Sequence, residues 1–240
     1  MITLGIDTAN QTLAVGITED GNILGQIQIN KKKNHSVSLM PAIEQLFQAI
    51  ELEPTEVDRI VVSDGPGSYT GLRIGVTTAK TLAYTLNKEL VGVSSLQAIA
   101  ANCVNVEGLI VPLFDARRKN VYAGVYRQRE GEIETVLEDV HISIVELLDQ
   151  LKQFQEPILF VGVDVQKFTT EIEEILPTAK INHVLEWNLP NGITIATLGS
   201  KIEPTKDIQN FLPRYLKKVE AEEKWLETHT PGDESYVEKI

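Results

Sequence analysis

ITLGIDTANQTLAVGITEDGNILGQIQI, residues 2–29, reads as strand, aspartate, strand, tight turn and strand. Ile2, Leu4 and Ile6 alternate with small or polar residues, the period of a half-buried strand, and the run ends at Asp7. Leu13 to Ile17 predicts a second strand and Ile23 to Ile29 a third. Asp20-Gly21 between them suits a hairpin, because the tightest turns need positive φ. Further on, Leu39, Ile43, Leu46 and Ile50 recur at the spacing of an amphipathic helix. Arg59 to Ser63 predicts a buried strand. A glycine-rich loop comes next, and then a helix from about Gly71 to Leu86.

The same order recurs from residue 109. LIVPLFD (109–115) predicts a strand ending at Asp115, and Val121 to Arg127 the next. Glu130-Gly131 is the turn and Ile133 to Val136 the third strand. A helix over about Ser143 to Phe154, a strand over Pro157 to Gly162 and a helix over Val165 to Leu176 complete the copy. Units this long are not solenoid repeats. They predict two homologous α/β lobes, each a mixed sheet flanked by helices, facing each other across a cleft. Residues 1–104 with about 190–218 form the first lobe and 105–189 the second. A helix is expected over Asn191 to Ile202 and extended chain at Pro213 to Leu216. The acidic tail 219–240 is expected to be partly disordered. The duplicated pattern resembles the actin-like, ribonuclease H-like superfamily of sugar kinases and heat-shock ATPases. In that superfamily the loops after the first strand of each lobe hold phosphate and metal. Asp7 and Asp115 would then point into the cleft.

Composition narrows the function classes. The chain has 240 residues, 42% of them hydrophobic, and a net charge of −12. That acidity disfavours tight, unaided binding to a phosphate backbone, which calls for a basic face. The compact basic runs are Lys31–Lys33, Arg117–Lys119 and Arg214–Lys218. No apolar run approaches the roughly 18 residues of a membrane span. MITLGIDT lacks the basic start of a signal peptide, so the expected compartment is the cytoplasm. Cys103, the single cysteine, lies in an apolar helical stretch and reads as a buried small residue.

Chemistry-bearing residues are sparse. Gly65-Pro66-Gly67-Ser68-Tyr69-Thr70-Gly71 comes after a strand and opens a helix, as phosphate loops do. Its spacing is not the dinucleotide fingerprint, and it leads into no Gly-Lys-Ser/Thr. The glycines fit a sharp turn and close packing of helix on strand. Arg73, in the first helical turn, opposes the helix dipole and calls for an anionic neighbour or a partner. The arginines after Asp115 could neutralise it or bind an anion. Met40 and Phe47 widen the apolar stripe of the first helix beyond what one sheet requires. Val76, Leu82 and Tyr84 lie off the expected core side of the next helix.

Six segments, in order, resemble the TsaB (YeaZ) family: IDTAN (6–10), NHSVSLMP (34–41), SDGPGSYTGLRIGVTTAKTLAY (63–84), VSSLQAIA (93–100), DARRKNVYAGVY (115–126) and PRYLKKVEAE (213–222). The resemblance implies a shortened, non-catalytic relative of TsaD (Gcp). TsaD transfers a threonylcarbamoyl group to the adenosine next to the anticodon of tRNA. It implies pairing with TsaD, work alongside the ATPase TsaE, a homodimer without TsaD, and contact with tRNA only through the complex. Pairing through the first two long helices would use His35, Leu39, Met40, Ile43, Phe47, Tyr69, Arg73 and Val76. TsaD carries two metal-binding histidines four residues apart on its first helix; here His35 is followed at that spacing by Leu39, which cannot ligate. No metal and no cofactor of its own is therefore expected. Weak ATP or ADP binding with magnesium would involve Asp7, Thr8, Gly67 and Asp115. A stand-alone actin-like ATPase or kinase is the competing reading, and it needs a late adenosine loop, for which Asn191-Gly192 and Leu198-Gly199-Ser200 are the candidates. A metalloprotease lacks support: there is no H-E-x-x-H motif.

Overall fold

Asp20 and Gly21 take φ of 47° and 83°, and Glu130 and Gly131 take 53° and 83°. Two turns of one geometry thus close two equivalent hairpins. The first joins β2 (Leu13–Glu19) to β3 (Asn22–Ile29). The second joins β7 (Asn120–Arg129) to β8 (Glu132–Ser143), a strand that runs well past the expected Val136. The computed structural model describes residues 1–31 and 34–217; the tail expected to be disordered lies outside the described residues.

In the first lobe β1 (Ile2–Asp7) pairs antiparallel with β2 and parallel with β4 (Arg59–Gly65). β5 (Glu89–Ser94) extends the parallel side, giving the order β3-β2-β1-β4-β5. In the second lobe β6 (Leu109–Asp115) pairs antiparallel with β7 and parallel with β9 (Ile158–Val161). β10 (Lys180–Ile181) completes the order β10-β9-β6-β7-β8. Strand for strand, the second sheet, read in reverse order from β8, repeats the first, which is the duplicated two-lobe arrangement of mixed sheets expected from the sequence. Two strands were not assigned from the sequence: β5, a short run directly after the Asn87 cap of the preceding helix, and β10, which is two residues long.

The helices are α1 (His35–Ala49), α2 (Tyr69–Leu86), α3 (Ser95–Ala101), α4 (Ile144–Leu151), α5 (Thr169–Ile175) and α6 (Gly192–Gly199). The helix expected over 165–176 is a 3-10 turn, Val165–Phe168, followed by α5. Asn34, Ser68, Ser94, Ser143 and Asn191 each accept an amide at a helix start, satisfying donors the helix leaves unpaired. α1 and α2 cover one face of the first sheet, where Leu4, Ile6, Val15, Ile17, Leu39, Leu46, Ile60 and Val76 form the core.

The other two sheet faces are covered crosswise. α3 comes after the first sheet in sequence, yet Leu96, Ile99, Ala100 and Cys103 pack with Ile110, Phe114, Tyr126 and Val161 of the second. α6 comes after the second sheet, yet Ile195 packs with Val61, Val91 and Val93 of the first. α6 sits so low on β2 that a Cβ at Gly16 would lie 2.6 Å from the carbonyl carbon of Gly192. Burial pushes the Cys103 thiol up to about 12, so it behaves as a core residue.

Candidate functional site

A cleft of about 770 Å³ lies where the loops after β1, β4 and β6 converge. Its walls include His35, Gly67, Tyr69, Asp115, Arg117 and Tyr215. The structure thus gathers His35, Gly67, Tyr69 and Asp115, four of the residues singled out from the sequence.

Asp7 and Thr8 are not cleft groups. Asp7 is fully buried. Its Oδ1 accepts the Ala9 N–H at 2.8 Å and its Oδ2 accepts the Ser63 hydroxyl at 2.5 Å. Burial raises its carboxyl to about 6, against the opposing pull of Ser63, Ala9 and His35. Thr8 is also buried, and its hydroxyl donates to the Gly71 carbonyl at 2.8 Å. The expectation that Asp7 points into the cleft is corrected, because the start of α2 closes over the end of β1. Glycine permits that closure: a Cβ at Gly71 would lie 2.1 Å from the Thr8 oxygen, and one at Gly67 would lie 2.4 Å from the Ala9 oxygen. The loop is therefore built for close packing of helix on strand, with the Ser68 amide donating to Ala9 O at 2.7 Å.

Asp115 does line the cleft. Its backbone amide donates to Asp164 Oδ2, and its carboxylate accepts the Arg117 amide and the Lys167 ammonium, each at 2.8 Å. Burial opposes ionisation of Asp115, but Lys167 and Arg117 outweigh it and hold the carboxyl below its usual range. Lys167 is 52 residues away, so the sequence offered only the adjacent arginines as counter-ions. Arg117, Arg118 and Lys119 take φ of 68°, 52° and 60°, three left-handed residues in a row without a glycine. The Asp115 carboxylate and an Asn120 amide to Arg117 O bond close this turn.

His35 opens α1 and its Nε2 donates to the Asn10 carbonyl at 2.7 Å. Among the described residues no three His, Cys, Asp or Glu side chains cluster as metal ligands. Tyr69 stacks on Tyr215 with ring centroids 5.0 Å apart. Arg73 donates to the Tyr69 hydroxyl at 2.9 Å and lies 5.5 Å from its ring centre. The neighbour expected for Arg73 is thus an aromatic ring rather than an anion.

On the outer face of the first lobe α1 and α2 part to leave an apolar groove of about 630 Å³. Met40, Ile43, Phe47, Leu52, Leu82 and Leu86 line it. Met40 is 48% exposed, and Val37 and Tyr84 still more so. Ile43 and Phe47 form the floor and are otherwise buried. Leu39 and Val76, expected on this surface, are 1% and 2% exposed and belong to the core; both turn toward the sheet, while Tyr69 and Arg73 sit at the cleft end of α2. The candidate adenosine loops are occupied by packing, Gly192 against Gly16 and Gly199 against Val61. Among the described residues, no helix is long and apolar enough to cross a membrane.

Comparison with known proteins fits this geometry. The family model described as TsaD, tRNA N6-adenosine threonylcarbamoyltransferase, matches residues 22–225. A Bacillus subtilis protein named tRNA threonylcarbamoyladenosine biosynthesis protein TsaB is 40% identical over 228 residues, 95% of this chain and 99% of that one. The Escherichia coli protein of the same name is 28% identical over 55% of this chain and 58% of its own. The solved structure of YeaZ from Pseudomonas aeruginosa shares the fold, with a TM-score of 0.73 at 22% identity, covering 90% of this chain and 99% of that one. Matched along nearly its whole length by a TsaB protein and across 22–225 by the TsaD-type model, the chain belongs to the TsaB (YeaZ) family.

Proposed function

We propose that this chain is a non-catalytic partner subunit in the threonylcarbamoyl modification of tRNA adenosine, acting by pairing with TsaD. The observation that carries the reading is the α1–α2 groove. Its lining is mostly apolar, with Glu44, Gln48, Glu51 and Glu53 beside the apolar side chains, and Met40 within it is 48% exposed. An exposed apolar surface of that kind fits a partner's helices. Without TsaD, a second copy would take the same face. TsaE and ATP would act in the assembly, and tRNA would be met only through it, in keeping with a net charge of −12. Leu39, at the position of TsaD's second metal-binding histidine, is a core residue and supports a subunit without its own metal chemistry. The cytoplasm is the compartment this role requires. A stand-alone ATPase or kinase has weaker support, because Asp7 and Thr8 are committed to internal hydrogen bonds.

The test is formation of threonylcarbamoyladenosine, measured by mass spectrometry. The reaction contains tRNA, threonine, bicarbonate, ATP, the synthase that supplies threonylcarbamoyl-AMP, TsaD and TsaE. Product is expected only when this chain is added, and none from this chain without TsaD. Met40→Glu is expected to weaken the complex with TsaD by at least about tenfold, the effect of placing a charge in an apolar contact, with an unchanged melting temperature. Equal product with and without the chain would sink the reading.

A further inference from the structure

Residues 203–217 run along the first lobe without regular secondary structure. They are tied down at several points. The Thr205 amide donates to Leu90 O at 2.8 Å, Lys80 reaches the Gln209 carbonyl at 2.6 Å, and Phe211 packs on the first core. At the far end the Arg214 amide donates to Asp64 O at 2.7 Å. From there the Arg214 side chain leaves the first lobe. Its Nη2 donates to Gly65 O at 3.0 Å and to Asp139 Oδ2, on β8 of the second lobe, at 2.9 Å. Its Nε lies 3.8 Å from Asp64 Oδ1.

The second lobe is shaped to receive it. The β7–β8 register shifts near Gly124, so that Glu138 and Asp139 together face one residue of β7. Such a bulge re-aims a side chain. A Cβ on Gly124 would lie 2.5 Å from Asp139 Oδ1, so only glycine leaves room for this carboxylate. The Asp139 side chain is 2% exposed. It accepts the Tyr126 hydroxyl, the Ser94 hydroxyl at 2.5 Å and the Arg214 guanidinium. Ser94 belongs to the first lobe and caps α3. A carboxylate this buried persists only when it is fully paired, and two of its three partners, Ser94 and Arg214, come from outside the second lobe. Immediately beyond Arg214, Tyr215, Leu216 and Lys217 line the cleft.

We propose that residues 203–217 form a strap that latches the two lobes through Arg214 and Asp139, so that the opening of the cleft is set by the chain's own C-terminal segment. The strap also holds the glycine-rich loop that forms one wall of the cleft. Arg214 holds the Gly65 carbonyl at the root of the glycine-rich loop, and Tyr215 holds Tyr69 at the first turn of α2. The alternative is that α3 and α6 alone fix the lobes by packing, with Arg214 merely filling its place.

Spin labels on Asn22→Cys and Gln150→Cys, exposed positions in different lobes, report the interlobe distance; buried Cys103 stays unlabelled. Arg214→Gln is expected to broaden the distance distribution. The double variant Arg214→Gln/Asp139→Asn, which removes both charges and keeps hydrogen-bonding groups, is expected to do the same, and it decides the question if the single variant does not fold. Exchange of the residue-214 amide should accelerate by about tenfold or more, with the Thr205 amide unchanged. A distribution identical to the parent's in the folded double variant would overturn the latch and leave the packing of α3 and α6 as the whole restraint.

Discussion

Asp7 shows how a residue that looks like a ligand becomes part of the frame. The same position, at the end of a first strand, places Asp115 in the cleft beside Lys167 but seals Asp7 beneath α2. The difference lies in the segment that covers each strand end: a helix start with glycines closes over Asp7, whereas a left-handed turn leaves Asp115 open to the cleft. Burial raises the Asp7 carboxyl above its unfolded value, to about 6. Its contribution to stability is therefore full below about pH 4 and is lost as pH rises through about 6. Asp7→Asn removes the charge while its oxygen still accepts the Ala9 N–H and its NH2 can donate to the Ser63 hydroxyl oxygen. It should flatten the fall in stability across that window and make the protein more stable at pH 8 by roughly 1–3 kcal/mol. Denaturant melts at pH 4, 6 and 8 would check this; an unchanged slope would mean that Asp7 is not the titrating group. Asp64, also raised to about 6 by burial, should supply the slope that remains.

At the scale of elements, the start of α2 carries the most information per residue. Gly71 has no space for a side chain against Thr8 O. Gly71→Ala should cost roughly 1–3 kcal/mol, the usual range of overpacking. A melt within about 0.5 kcal/mol of the parent would show that α2 can lift off β1. Ser143 accepts the Glu146 amide at the start of α4 without touching the cleft. Ser143→Ala should cost about 1 kcal/mol and leave partner binding unchanged. The groove between α1 and α2 belongs to this scale too. Its α1 side was partly readable: Met40, Ile43 and Phe47 line it as read from the sequence, but Leu39 and Val76, assigned to the same surface, do not. Leu39 and Met40 are neighbours in sequence and opposites in exposure, because a helix turns about 100° per residue.

For the whole molecule, the crosswise placement of α3 and α6 matters most. Each lobe's sheet is completed by the helix that comes after the other sheet in the chain. Neither lobe can lose its core without exposing its neighbour's, so the two should unfold together. Ile99 sits in the α3 contact with the second sheet and is fully buried. Ile99→Ala should lower stability by roughly 2–4 kcal/mol while thermal unfolding remains a single transition. Two separated transitions in the parent or in this variant would show the lobes to be independent.

Periodicity, the two Gly-containing turns and the repeated strand-ending aspartate were enough to specify a duplicated two-lobe α/β fold, because those signals are local and depend only on neighbours in the chain. The six ordered motifs were enough to specify the family. Tertiary structure alone decided the rest. It decided that Asp7 is buried while Asp115 is not, since that depends on what packs over each strand end. It decided that Lys167 is the partner of Asp115, and Asp139 that of Arg214, since those pairs lie 52 and 75 residues apart. It decided that α3 and α6 exchange sheets, because an apolar helix carries no mark of which apolar face it will cover.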